Sequence, residues 1–209
     1  MSKKVRSAKI ARKTNEVDIK GEFNIDGSGK TSVKTPIEPL NHLLTLFAFH
    51  GLFDLSLSAK GDLQHHIIED IGIALGKAFK DSLGDKSGIN RYGSFSVTMD
   101  KVVVEANVDI SGRPTLSGTI TAENKDEVTQ VLAKETFDDT NFTYETAKEF
   151  LEAFVQHAGL SLVYNIKSGE GDLHHILEAL FKALGKALDQ ATQIDPRRKG
   201  IPSTKGVID

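Results

Sequence analysis

His65, His66 and Glu69 in the segment HHIIEDIGIALGKAF recur as His174, His175 and Glu178 in HHILEALFKALGKAL. A duplicated helix needs only its apolar pattern to fold, so two imidazoles and a carboxylate kept in both copies ask for a chemical role. Residues four apart on an α-helix project about 40° apart, three apart about 60°, and neighbours about 100°. His65 and Glu69 can therefore chelate one ion from one helix face while His66 is placed to serve a second; the same holds for His174, Glu178 and His175. Imidazole with carboxylate suits Mn, Fe, Zn or Ni, and the carboxylate share favours Mn. The chain has no cysteine, which excludes disulfides and thiolate metal sites. Two ion sites shared between repeats or between subunits are easier to build from such a set than one.

These residues must be positioned by a duplicated framework. Alternation predicts strands over Glu16 to Ile25 and Lys30 to Lys34, joined as a hairpin by the Asp26-Gly27-Ser28-Gly29 turn. Helical spacing of Leu40, Leu43, Leu44, Phe47 and Ala48 predicts a helix from Pro39 to Phe49. A strand over Phe53 to Ser58 and a helix from His65 to Leu83, ending near Gly84, complete the first half. The second half repeats the order, with strands at Phe95 to Met99, Val102 to Ile110 and Leu116 to Thr121, then a helix from Thr143 to His157. A strand at Leu160 to Ile166 and a helix from His174 to Thr192 follow. The expected fold class is α+β, two similar strands-helix-strand-helix repeats over 1–90 and 91–209, helices layered on one face of each sheet, together one compact unit.

Aligned outward from the HHxxE helices, the halves match further. GDL precedes both motifs, His50 falls opposite His157, and His42 opposite Glu149. His42 sits within an apolar helix and is a ligand candidate. His50 and His157 stand at helix ends beside glycine, where a C-terminal cation is favourable, and read first as structural. GSGKT at Gly27 to Thr31 resembles the end of a phosphate loop, a hint of phosphotransfer testable by ATP binding. That motif needs a glycine where Asn24 stands and a strand leading into a helix, so the segment reads as a hairpin turn. Arg91 in GINRYG and Arg113 in SGRP stand beside glycines, where guanidinium groups can grip a phosphate, and DPRRKGIPSTKG adds cations and the Ser203 hydroxyl.

Composition sets the outer bounds. Hydrophobic residues make up 39% and charged residues 26% of 209, which supports a core without covalent staples. A net charge of −3 offers no global field for nucleic acid. The N-terminal MSKKVRSAKIARK is basic without the apolar run of a secretory signal, and no stretch approaches the roughly 18 apolar residues that span a bilayer. A cytoplasmic protein with no membrane partner is expected.

With these residues in view, the chain resembles the imidazoleglycerol-phosphate dehydratases, lyases of histidine biosynthesis. The likeness runs nearly end to end through RKTNEVDI, PLNHLLTLFAFHGLFDL, GDLQHHIIEDIGIALG, GINRYG, SGRP, HAGLSL, HHILEALFKAL and DPRRKGIPSTKGV. The resemblance implies repeats of the ribosomal-S5-domain-2-like type in a 24-subunit homo-oligomeric shell, with two Mn ions per active site at subunit interfaces. The activity implied is dehydration of imidazole glycerol phosphate to imidazole acetol phosphate. Carried onto this chain, the metal ligands would be His42, His65, His66, Glu69, His174, His175 and Glu178, with Glu149 standing where the family carries His. Glu16 matches the acid/base glutamate and Lys182 an active-site lysine, while Arg91, Arg113, Ser203 and Lys205 would grip the phosphate. The proton to be removed adjoins no carbonyl, so the resemblance implies that the imidazole ring, as an anion stabilised by two ions, would push out the hydroxyl and give up its negative charge as the hydroxyl leaves. The chain also departs from the family in Asn41, in a shorter GDL-to-HH spacing, and in Asn165 and Glu170. The rival reading, raised by Asn41 and Glu149, is a non-catalytic divalent-metal-binding assembly protein of the same descent.

Overall fold

Strict alternation of buried and half-exposed positions along Val102–Asp109 puts Val102, Val104, Ala106 and Val108 on one face, the pattern of a strand with one covered side. In the computed structural model, which describes residues 5–138 and 140–208, that strand is β6. The elements run β1 Ser7–Lys13, β2 Val17–Asn24, β3 Thr31–Lys34, α1 Glu38–His50, β4 Asp54–Gly61 and α2 Gln64–Leu83. They continue as β5 Tyr92–Met99, β6 Val102–Asp109, β7 Thr115–Ile120, α3 Lys125–Lys134, α4 Tyr144–Ala158, β8 Ser161–Gly169 and α5 Leu173–Thr192. The sheets have the same topology, β1-β2-β4-β3 and β5-β6-β8-β7, each antiparallel except for its last, parallel pair. The expected α+β duplication is what the chain forms.

The expected β2–β3 hairpin is not formed. β4 lies between these strands, pairing antiparallel with β2 and parallel with β3. The Asp26–Gly29 segment is instead a crossing loop pinned to the start of β4: the Asp54 carboxylate accepts from the amides of Ser28 at 2.8 Å and Lys30 at 3.0 Å. A glycine-rich turn signal carries no information about which strand arrives to fill the middle of a sheet. Two elements are additional to those read from the pattern. β1 is a basic edge strand with only Ile10 buried, and α3 buries only Val128. α3 rests on the core through a short stripe of Val128, Val131 and Leu132, and basic edges such as β1 are a common defence against strand addition.

The repeats interlock through their helices. α2 lies over β1 and β2, and α5 over β5 and β6, while α1 of the first repeat packs on α5 of the second and α2 packs on α4. Glycine permits both helix crossings: a Cβ on Gly185 would lie 2.3 Å from Phe47 O, and one on Gly76 2.6 Å from Phe154 O. These two glycines occupy the same place in the repeated ALGKA. The core is continuous from Ile10 to Ala191, and stacked Phe150, Phe154 and Phe181 tie α4 to α5. Among the described residues no helix is long and apolar enough to cross a membrane.

Candidate functional site

α5 enters with Asp172 as its N-cap, the carboxylate accepting from His175 N at 3.0 Å, and its first two turns then present His174 and Glu178 on one face. The crossing of α1 over α5 adds His42. His42 Nε2 and His174 Nε2 both meet Glu178 Oε1, the latter at 3.0 Å. The donor atoms of His42, His174 and Glu178 lie within 4.8 Å of one another, and no other set of three potential ligands meets that limit among the described residues. The cluster is shared between repeats, one ligand from the first and two from the second.

Glu178 is only 5% exposed, yet it is ionised. Burial pushes its carboxyl upward, but the Lys182 ammonium 2.5 Å from Oε2, with the bond and charge of His42, outweighs that and holds it at about 2. Lys182 Nζ also rests 3.4 Å from the Met99 sulfur at the end of β5. His50, at the end of α1, is pushed below the usual imidazole value by burial and then by Lys182 and Lys186.

The symmetric counterpart lies at the α2–α4 crossing, where His65, Glu69, Glu149, Glu152 and His157 line a groove of about 750 Å³. Glu149 thus lines the same groove as His65 and Glu69, although these three do not converge as His42, His174 and Glu178 do. The counterpart of Lys182 is Ile73, so the second half-site lacks the buried ammonium. His157 Nδ1 donates to Ala153 O at 2.9 Å, which leaves its Nε2 without the hydrogen in the neutral ring.

The second histidine of each pair is held by the repeated GDL. His66 Nδ1 meets Asp62 at 2.8 Å, and His175 Nδ1 meets Asp172 at 2.6 Å. One spacing is i,i+4 and the other i,i+3, so the extra residue Gln64 is absorbed without loss of the pair. These bonds raise both imidazoles above their ordinary value, helped at His66 by the charge of Glu16 and at His175 by that of Asp100. Protonation of either ring would oppose metal binding. Glu16 itself is exposed in the β1–β2 turn. Asn41 is turned away from the cluster: its amide donates to Thr35 O and accepts from Thr35 N, both at 3.0 Å.

Arg91, Arg113, Ser203 and Lys205 come together around a separate pocket of about 210 Å³, with Ser111 and Thr204. Arg91, at φ 73°, grips Asp109 through Nε at 2.7 Å and Nη2 at 3.1 Å, and donates from Nη1 to Pro202 O at 3.0 Å. It therefore positions the C-terminal tail as well as supplying charge. Arg113 and Lys205 are exposed and form no ion pair among the described residues, so their charges are available to an anion.

The arrangement combines convergent nitrogen and oxygen donors with a separate pocket lined by Arg91, Arg113 and Lys205. The imidazoleglycerol-phosphate dehydratase family model matches residues 35–188. The chain is 51% identical over 206 residues to the imidazoleglycerol-phosphate dehydratase of Pelobacter propionicus, covering 97% of this chain and 99% of the relative. The chain belongs to the imidazoleglycerol-phosphate dehydratase family. The dehydratase of a Thermoanaerobacter strain is 47% identical, covering 98% of this chain and all of the relative. Crystal structures of the Staphylococcus aureus and Pyrococcus furiosus dehydratases each superpose with a TM-score of 0.74 at 33% identity, covering 90% and 96% of this chain and 99% of each of those chains.

Sequence reasoning overlooked the groups that hold the ligands. Asp62 and Asp172 had a signal, since GDL is repeated with the helices. Asp109, which fixes Arg91, and Phe137 and Asp138, which lie against His174, stand in no repeated motif.

Proposed function

We propose that the chain dehydrates imidazole glycerol phosphate to imidazole acetol phosphate in the cytoplasmic biosynthesis of histidine, using two Mn ions per active site. The observation that carries this reading is the convergence of His42, His174 and Glu178 in a chain similar along nearly its whole length to enzymes named for this activity. The donor set fits a divalent ion of the Mn type: imidazole nitrogens and an ionised carboxylate oxygen, with no thiolate. His42, His174 and Glu178 would contribute to one ion site, while exposed His65, Glu69 and Glu149 and half-buried His66 and His175 would supply further ligands. Their separation within one chain favours sites completed between subunits of a homo-oligomer, for which the family resemblance points to a 24-subunit shell. When bound, the ions supply positive charge that stabilises the anionic imidazole ring.

The chain's own residues account for the remaining tasks. Arg91, Arg113, Ser203 and Lys205 bind the phosphate and anchor one end of the substrate. Glu16, exposed and close enough to His66 to act on its charge, is the carboxylate that moves the proton. Lys182 keeps Glu178 ionised. Glu16, Lys182 and the assembled anion pocket count against a purely metal-binding role.

Turnover of imidazole glycerol phosphate by Mn-loaded, assembled protein tests the reading; bound Mn with no dehydration would overturn it. Glu178→Gln is expected to lower Mn content and activity together. Stoichiometric Mn retained in that variant would contradict the ligand assignment.

A further inference from the structure

The connection between α3 and α4 has no counterpart in the first repeat, where the chain passes from β3 through Thr35 directly into α1. Three consecutive features of this connection meet the start of α5. The Glu135 carboxylate accepts from Leu173 N at 3.0 Å. The Phe137 ring stacks on His174, centroids 4.5 Å apart and planes 19° from parallel. Both carboxylate oxygens of Asp138 lie 2.9 Å from His174 Nδ1. The segment is itself braced: Phe137 N donates to Phe142 O at 2.8 Å, and Thr140 N to Phe137 O at 3.0 Å. Asp138 takes φ 47°, a left-handed conformation that non-glycine residues adopt sparingly, and it is held there while facing the imidazole.

We infer that Asp138 is a positioning residue for the metal ligand His174, fixing its tautomer and ring plane. This rests on the reading that His42, His174 and Glu178 hold a divalent ion. A carboxylate only accepts, so the hydrogen between the two groups sits on Nδ1. The lone pair of the neutral ring is then on Nε2, which faces Glu178 Oε1 at 3.0 Å and the His42 imidazole. Two lone-pair donors at that separation require a proton or a cation between them, and Asp138 selects the ring form in which a cation can take that place. The Phe137 stack prevents the ring from rotating out of line. No carboxylate bonds His65, the symmetric histidine, among the described residues, so this support belongs to the α1–α5 half-site.

Asp138→Ala and Asp138→Asn separate positioning from other roles. The Asp138 side chain is 60% exposed, and both of its hydrogen bonds described here go to His174, so the fold is expected to survive both changes. Solid-state 15N spectra of metal-free, histidine-labelled protein at alkaline pH, with His174→Gln to assign the signal, should show the Nδ1–H tautomer in the parent chain. Asp138→Ala should shift it toward Nε2–H and weaken Mn binding, followed by the free-Mn paramagnetic resonance signal, by about ten- to a hundredfold. Asp138→Asn keeps an accepting oxygen and should retain the tautomer and most of the affinity. Unchanged tautomer and affinity in Asp138→Ala would overturn the inference. So would equal loss of one Mn per chain in both variants, which would make Asp138 a ligand, or a collapse of thermal stability in both, which would make its role structural. None of these readouts requires turnover, so the inference can fail or hold separately from the dehydratase reading.

Discussion

A buried carboxylate survives next to two imidazoles only because something compensates it, and for Glu178 that is Lys182 one helical turn on. The HHxxE pattern exposed Glu178 as chemistry, but the lysine stood out only through the family resemblance, since a lysine at i+4 is ordinary on any helix. Partners outside the repeat, such as Asp138, left no trace because a lone acid in a loop has no period. Replacing Lys182 with Met keeps the side chain's bulk and removes its charge, leaving burial to push the Glu178 carboxyl upward. In the parent chain the carboxyl is held at about 2, below its usual 4.5, so the stability this provides is fully present above pH 4.5 and is lost as pH falls toward 2. Lys182→Met is expected to cost about 2 kcal/mol at pH 7. In urea unfolding over a pH series the deficit should shrink below pH 4.5; a deficit constant with pH would contradict the charge argument.

Helices α1, α2, α4 and α5 were readable because each carries a continuous apolar stripe, and their ends moved by only a residue or two. β1 was not, because one buried residue gives no periodicity; α3 was not, because its stripe of Val128, Val131 and Leu132 spans little more than one turn among polar residues; and strand order escaped because a local turn signal cannot report a long-range pairing. The repeated ALGKA was legible as helix but not as a contact. Its glycine lets two backbones meet, a requirement visible only once α1 lies on α5. Alanine is better than glycine in an isolated helix by about 1 kcal/mol, so Gly185→Ala poses a direct contest between propensity and packing. With a Cβ 2.3 Å from Phe47 backbone oxygen, packing wins, and a net loss of about 2 kcal/mol is expected in urea denaturation. Gly76→Ala should behave alike at α2–α4. A stabilised variant at either position would show that the crossing can open at no cost.

For the molecule as a whole, duplication places related His and Glu side chains at the α1–α5 and α2–α4 crossings, and a pocket lined by Arg91, Arg113 and Lys205 lies apart from both. That site joins the β6–β7 loop to the C-terminal tail, which is pinned by Gly88 N to Gly200 O at 2.9 Å, Asp195 N to Gly88 O at 2.9 Å, and Arg91 to Pro202 O. Sequence placed all four phosphate candidates beside glycines or in the tail but could not say that they meet, because Arg91 and Lys205 are far apart along the chain and only the fold of the tail unites them. The two arginines should then behave differently when removed. Arg113 is exposed and forms no ion pair among the described residues, so Arg113→Ala should leave stability within about 0.5 kcal/mol while raising KM for the phosphate ester roughly ten- to a hundredfold, as loss of a charge-assisted phosphate contact requires. Arg91→Ala leaves Asp109 without its bidentate partner and frees the tail, so about 1–3 kcal/mol of stability should go together with the affinity. Denaturation and steady-state kinetics on both variants decide this; a stable Arg91→Ala protein with only a KM defect would mean that the tail is held by its backbone bonds alone.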